Sequence, residues 1–138
     1  MAKTIKNPWK DQRVLITGVC GTVGSELLNQ VLNNQPSEII GIDNNESALF
    51  FLSEKYREIP QVNLYLGDLR DRDRLIHLLD SIDIVLHSAA LKHVILCEKS
   101  PTDAVQTNIL GVQNIIDAAI QKQVKRVLFT SSDKAVNP

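Results

Sequence analysis

Gly18, Gly21 and Gly24 recur at every third position, directly after the apolar run Val14–Thr17 and ahead of an amphipathic stretch. A glycine-rich turn between a strand and a helix removes Cβ atoms where a pyrophosphate must approach the backbone. It also aims the free N–H groups of the first helical turn, here Thr22, Val23 and Gly24, at the phosphate charge. Gly24 further allows close contact between helix and sheet. Glycines can serve a tight turn alone, but the strand–glycine–helix context favours a phosphate site. At the far end of the chain, Thr130-Ser131-Ser132-Asp133-Lys134 brings together hydroxyls, a carboxylate and an ammonium. Such neighbours can work as an acid/base pair or can be a surface ion pair of little worth. Their place at the carboxyl end of a strand favours chemistry.

Between these ends lie groups suited to the rest of a dinucleotide. Asp43 closes the run Ile39–Asp43 and is followed by Asn44 and Asn45, with no Arg beside it. A carboxylate there accepts hydrogen bonds from ribose hydroxyls and repels a 2′-phosphate, so NAD is expected over NADP. The same side chain could cap the following helix, and the two roles are compatible. Asp68, with Leu69, follows Gly67 where adenine should sit; its carboxylate can take the exocyclic amine, or simply make a turn or cap. Ser88, Ala89 and Ala90 are small and leave room for the middle of the cofactor.

These residues need a scaffold. Apolar runs at Val14–Thr17, Ile39–Asp43, Val62–Leu66, Ile84–His87 and Arg126–Thr130 alternate with helical patterns over Thr22–Asn33, Glu46–Glu58, Asp71–Leu79 and Pro101–Gln121. Strands separated by helices pair in parallel through crossovers, and strands apolar on both faces belong in a sheet covered on both sides. The expected fold is α/β: a doubly wound parallel sheet of five strands, a Rossmann fold over residues 12–138 behind a polar leader, 1–11.

The bulk properties narrow the function. The chain has 138 residues, 43% hydrophobic and 22% charged, with a net charge of −1, which fits one globular domain. That charge suggests neither a nucleic-acid nor a membrane-surface partner. No apolar run could span a bilayer, and no apolar signal core follows the N-terminal lysines. Cys20 and Cys97 form neither a metal-ligand spacing nor a disulfide framework, His77 and His87 read as structural, and no metal is expected. A reducing, cytoplasmic setting is the default.

The motif Thr17-Gly18-x-x-Gly21-x-x-Gly24 resembles that of extended short-chain dehydrogenase/reductases. Ser88-Ala89-Ala90-Leu91-Lys92-His93-Val94 and Ser131-Ser132-Asp133-Lys134-Ala135-Val136-Asn137-Pro138 are more specific. They resemble the UDP-N-acetylglucosamine 4,6-dehydratase branch, often labelled polysaccharide biosynthesis proteins. The resemblance implies hydride abstraction from the sugar C4, loss of the C5 proton, elimination of the C6 hydroxyl as water and return of hydride to C6. It implies that Ser132 hydrogen-bonds the C4 oxygen, Asp133 is the acid at C6 and Lys134 the base at C5. Lys92 and His93 would lie near cofactor and sugar, Ser131 near the cofactor, and Asn108 would support the site. The base role requires a partly neutral Lys134, which burial or a nearby cation such as Lys92 could supply. A UDP-sugar 4-epimerase, or a non-catalytic NAD-binding module, would share the nucleotide half. The family continues past Pro138, so the chain is read as a fragment, expected to bind NAD weakly or to be inactive alone. Its last strand is expected to be an open edge that favours homo-oligomers.

Overall fold

A computed structural model of the chain describes residues 7–131, and Ser132, Asp133 and Lys134 lie outside the described residues. The strands are β1 (Arg13–Thr17), β2 (Glu38–Asp43), β3 (Val62–Leu66), β4 (Ile84–His87) and β5 (Arg126–Phe129). They form one five-stranded sheet in the order β3-β2-β1-β4-β5, and every pairing is parallel. The order reverses between β1 and β4, so a crevice opens at the carboxyl ends of these two strands.

The helices are α1 (Thr22–Leu32), α2 (Glu46–Tyr56), α3 (Arg72–Leu78), α4 (Val94–Lys99), α5 (Pro101–Val105) and α6 (Gly111–Gln121), with a π-helical turn, Gln106–Leu110, joining α5 to α6. Side chains on a strand alternate between faces, and this alternation divides the core in two. Leu15, Ile40, Ile42 and Val85 meet Leu75, Leu78 and Leu79 of the α3 segment and Ile115, Ala118 and Ala119 of α6. Val14, Ile16, Ile39, Ile84 and Leu86 point the other way, onto Leu28 and Val31 of α1 and Leu49 and Tyr56 of α2. Fully burying one such aliphatic side chain is worth about 1.5–3 kcal/mol.

Two features depart from the sequence reading. The expected helix over Pro101–Gln121 is not continuous, because the π turn interrupts it, and the additional helix α4 precedes it. The two outer strands are not apolar-covered on both faces: Tyr65 and Leu66 of β3 and Leu128 and Phe129 of β5 are exposed. Only the inner three strands have neighbours on both sides of the sheet. Residues 7–11 of the polar leader are tied to the α1–β2 connection, where Asn7 Nδ2 donates to Asn34 O (2.9 Å) and Asp11 N to Gln35 O (2.9 Å), while Trp9 packs against the α1–α2 side of the core. Among the described residues, no helix is long and apolar enough to cross a membrane.

Candidate functional site

A cavity of about 620 Å³ lies at the carboxyl ends of the strands, within the range of about 300–1,000 Å³ usual for small-molecule sites. Its floor is the β1–α1 loop. Gly18 has φ +66°, and a Cβ built there would stand 2.8 Å from the backbone of Ala89, across the strand-order reversal. At Gly24 a Cβ would stand 2.0 Å from the Gly18 carbonyl oxygen. The loop therefore folds back on the first turn of α1 without room for a side chain at either position. The N-cap of α1 is Gly21, with no side-chain cap and no acidic residue in the first turn. Among the described residues, the turn and cap bonds use the amides of Gly21 and Ser25 but not those of Thr22, Val23 or Gly24. Backbone donors at the positive end of an eleven-residue helix thus remain available for an anion.

A hydroxyl holds the two sides of the crevice together. Thr17 Oγ1 lies 2.8 Å from His87 Nδ1 and accepts from the amides of Ser88 (3.2 Å) and Ala89 (3.2 Å). With two amides on its oxygen, the hydroxyl proton is left for His87 Nδ1, which favours the neutral ring. Burial agrees, pushing the His87 pKa down. The ring also packs edge-on to Phe129. Both His87 and Thr17 are buried.

Asp43 stands at the cavity wall. Its Oδ2 accepts from Cys20 N (3.0 Å) and its Oδ1 from Asn45 N (3.0 Å), which fixes the carboxylate against the glycine loop. The cap of α2 is Asn45, whose side chain accepts from Ala48 N, so Asp43 is not needed for that task. Burial, reinforced by the charge of Asp43 and a hydrogen bond to it, pushes the Cys20 thiol up to about 12. The thiol stays protonated and is a poor nucleophile at neutral pH.

Asp68 also lines the cavity. Its carboxylate is gripped by Arg70, with Nε and Nη2 at 3.0 and 2.7 Å, and this pairing holds its pKa below the usual carboxylate value. Asn114 Nδ2 donates to Leu69 O (2.9 Å). Gly111 lets α6 come close there, since a Cβ would meet that of Leu69 at 2.8 Å.

Gly18, Gly21, Thr22, Val23, Gly24, Asp43, Asn44, Asp68, Leu69, Ala89, Ala90, Lys92 and Ser131, all expected from sequence at the cofactor, line this one cavity. Asn108 does not. Its Oδ1 accepts from Leu91 N and its Nδ2 donates to Leu91 O, both at 2.8 Å, so the side-chain amide pairs with a loop peptide as a neighbouring strand would. His93 lines an adjoining cavity of about 490 Å³ that shares Lys92 with the first. Thr130, part of the motif after β5, lines the main cavity too, as do Asn45, Ala48 and Thr107, which had no expected role there. Asn45 and Ala48 follow Asp43 by a fixed short distance and could have been found from it; Thr107 carries no local signal. Among the described residues, no group of three or more His, Cys, Asp or Glu could hold a metal.

The chain is similar to several known proteins. An uncharacterized membrane protein of Methanocaldococcus jannaschii, MJ1061, is 42% identical over 138 residues, covering 100% of this chain and 41% of that protein. UDP-N-acetylglucosamine 4,6-dehydratase (inverting) of Campylobacter jejuni is 37% identical over 128 residues, covering 92% of this chain and 38% of its own length. Among solved structures, Pen from Bacillus thuringiensis superposes with a TM-score of 0.91 at 43% identity, over 94% of this chain and 40% of that one. UDP-glucose-4-epimerase from Stenotrophomonas maltophila, solved with NAD and formylated UDP-arabinopyranose, gives 0.77 at 27% identity, over 89% and 38%. The chain thus spans about two fifths of the length of these relatives, and its homologues include sugar-nucleotide dehydratases and epimerases. Residues 14–138 match a single family throughout, and the chain belongs to the polysaccharide biosynthesis protein family.

Proposed function

We propose that this chain is the NAD-binding part of a sugar-nucleotide 4,6-dehydratase acting on a UDP-N-acetylhexosamine. The observation that carries the reading is the uncapped N-terminus of α1, which opens onto a cavity bounded by the fixed carboxylate of Asp43. A dinucleotide fits this donor set. The amides of Thr22, Val23 and Gly24 would hold the diphosphate, in a cradle that Cβ atoms at Gly18 and Gly24 would close. Asp43 would accept from the adenosine ribose, and Asp68 would take the adenine amine. Ala89, Ala90 and Ser131 would flank the nicotinamide half, and Asn108 would hold the Leu91 backbone in place beside it.

When bound, NAD+ supplies a reversible acceptor for the hydride on the sugar C4 carbon. The residues that would act on the sugar come from the motif after β5. Ser132 hydrogen-bonds the C4 oxygen, Lys134 takes the C5 proton, and Asp133 gives a proton to the departing C6 hydroxyl. Lys92 and His93 sit on the exposed side of the cavities, where they can meet the sugar or its phosphates. The adjacent Asp133 and Lys134 favour dehydration over 4-epimerisation, which needs no acid at C6. The epimerase reading keeps the support of the NAD-bound epimerase above.

Incubation of the natural full-length protein with NAD+ and UDP-N-acetylglucosamine, followed by mass spectrometry and NMR, tests the proposal. A 4-keto-6-deoxy product is expected. Inversion at C4 without loss of water would replace the dehydratase by the epimerase, and no turnover with intact NAD binding would leave a binding module. Titration with NAD+ and NADP+ tests the cofactor assignment: equal affinities would defeat the argument from Asp43.

A further inference from the structure

We infer that Arg70 is the positioning residue for adenine recognition, because its fork occupies the Asp68 carboxylate so as to leave one acceptor direction for the base. The inference rests on the dinucleotide site proposed above.

A carboxylate offers about four lone-pair directions. In Asp68, Oδ1 accepts from Arg70 N at 2.9 Å and from Arg70 Nε at 3.0 Å. Oδ2 accepts from Arg70 Nη2 at 2.7 Å, while the longer Nε contact to Oδ2, 3.1 Å, shares a proton already counted. Three directions are thus filled, both of those on Oδ1 and one on Oδ2. The remaining one belongs to an oxygen whose residue lines the main cavity. One acceptor direction is what the exocyclic amine of adenine needs from a single partner.

The guanidinium does more than consume lone pairs. A planar fork fixes the plane of the carboxylate it grips. Nη1 reaches the other way, to Asp103 Oδ1 at 3.4 Å, at the first turn of α5. Arg70 lines the second cavity, which adjoins the main one and shares Asn44 and Lys92 with it. It therefore ties the carboxylate of Asp68 to the first turn of α5. The same pairing holds the Asp68 pKa below the usual carboxylate value, which favours the acceptor-only form. Lysine at this position could supply charge but not the fork, so it would neutralise Asp68 without setting its plane.

The test compares NAD+ with nicotinamide hypoxanthine dinucleotide, in which a carbonyl oxygen replaces the adenine amine. Affinities are measured by calorimetric titration of the wild-type protein, Arg70→Gln and Arg70→Lys. The Arg70 amide still donates to Asp68 whatever the side chain, so the turn is retained, and thermal unfolding checks this. The wild type should prefer NAD+ by about tenfold or more, as expected for one hydrogen bond to a charged acceptor. Arg70→Gln should bring that ratio close to one by weakening NAD+ alone, and Arg70→Lys should fall between.

A preference that survives Arg70→Gln, or an equal loss for both dinucleotides, would overturn the role of Arg70 and leave the dinucleotide site standing. Absence of any preference in the wild type would remove Asp68 from adenine recognition and the inference with it. Absence of binding by either dinucleotide would bring down the site itself.

Discussion

The two sides of the crevice are built by opposite means. On the β1–α1 side the loop is set by what is missing: neither Gly18 nor Gly24 has space for a Cβ, and the backbone of Ala89 closes over the first. On the β4–α4 side the chain from Ala90 to Val94 is exposed. It is held by a side chain, Asn108, that reaches in from the π turn. Under the proposed function, the side that would meet an invariant diphosphate is held by close packing, which admits no variation. The wall that would face a variable substrate is held by a few hydrogen bonds, which do. If this contrast is right, damage on the first side should cost stability and cofactor together, and damage on the second should spare the fold.

The largest effect is expected at Gly24. A methyl group there meets the Gly18 carbonyl at 2.0 Å, and overpacking of this kind costs about 1–3 kcal/mol. Gly24→Ala should lower the unfolding temperature and abolish measurable NAD+ binding; an unchanged melt with intact binding would break the contrast. Next is Thr17→Val, which strips the shared acceptor from Ser88 N and Ala89 N and the donor from His87. Unsatisfied buried partners predict a loss of about 1–3 kcal/mol in chemical denaturation, and the two sides should loosen together. Asn108→Asp sharpens the other half of the comparison. The carboxylate cannot donate to Leu91 O, so roughly 1 kcal/mol is expected in stability. Hydrogen exchange should speed up at Leu91 and stay unchanged at Gly21; equal acceleration at both would mean that the sides are not independent.

The smallest effect is in pH. The folded pKa of His87 is depressed by burial, so on acidification the unfolded chain binds a proton first. The stability contributed is full above the ordinary histidine pKa of about 6.5 and declines as pH falls from there towards the folded value. His87→Asn, which keeps an acceptor in place of Nδ1, should flatten that decline in urea melts at successive pH values.

How much of this could be read beforehand follows the same contrast. The strand, glycine turn and helix around Gly18–Gly24 are local, and local spacing is what a sequence displays. Asp43 was legible because strand ends are. The fork from Arg70 to Asp68 lies within two residues, yet nothing in the residue types says that it forms. The Thr17–His87 pair spans 70 positions and depends on the pairing of β1 with β4. Helix α4 was missed because it has no buried residue, so its apolar run Val94-Ile95-Leu96 shows no stripe. The acid/base motif at Ser132, Asp133 and Lys134 falls outside the described residues and remains a proposal.

The π turn has a consequence for how the protein can change over time. In an uninterrupted α-helix, positions seven apart share a face, so Asn108 would lie on the stripe that carries Ile115, which is fully buried. A polar amide and a core aliphatic would then compete for the same direction. Five residues wound more widely release one from the other. The segment upstream can be rewritten while α6 keeps its bearing on the sheet.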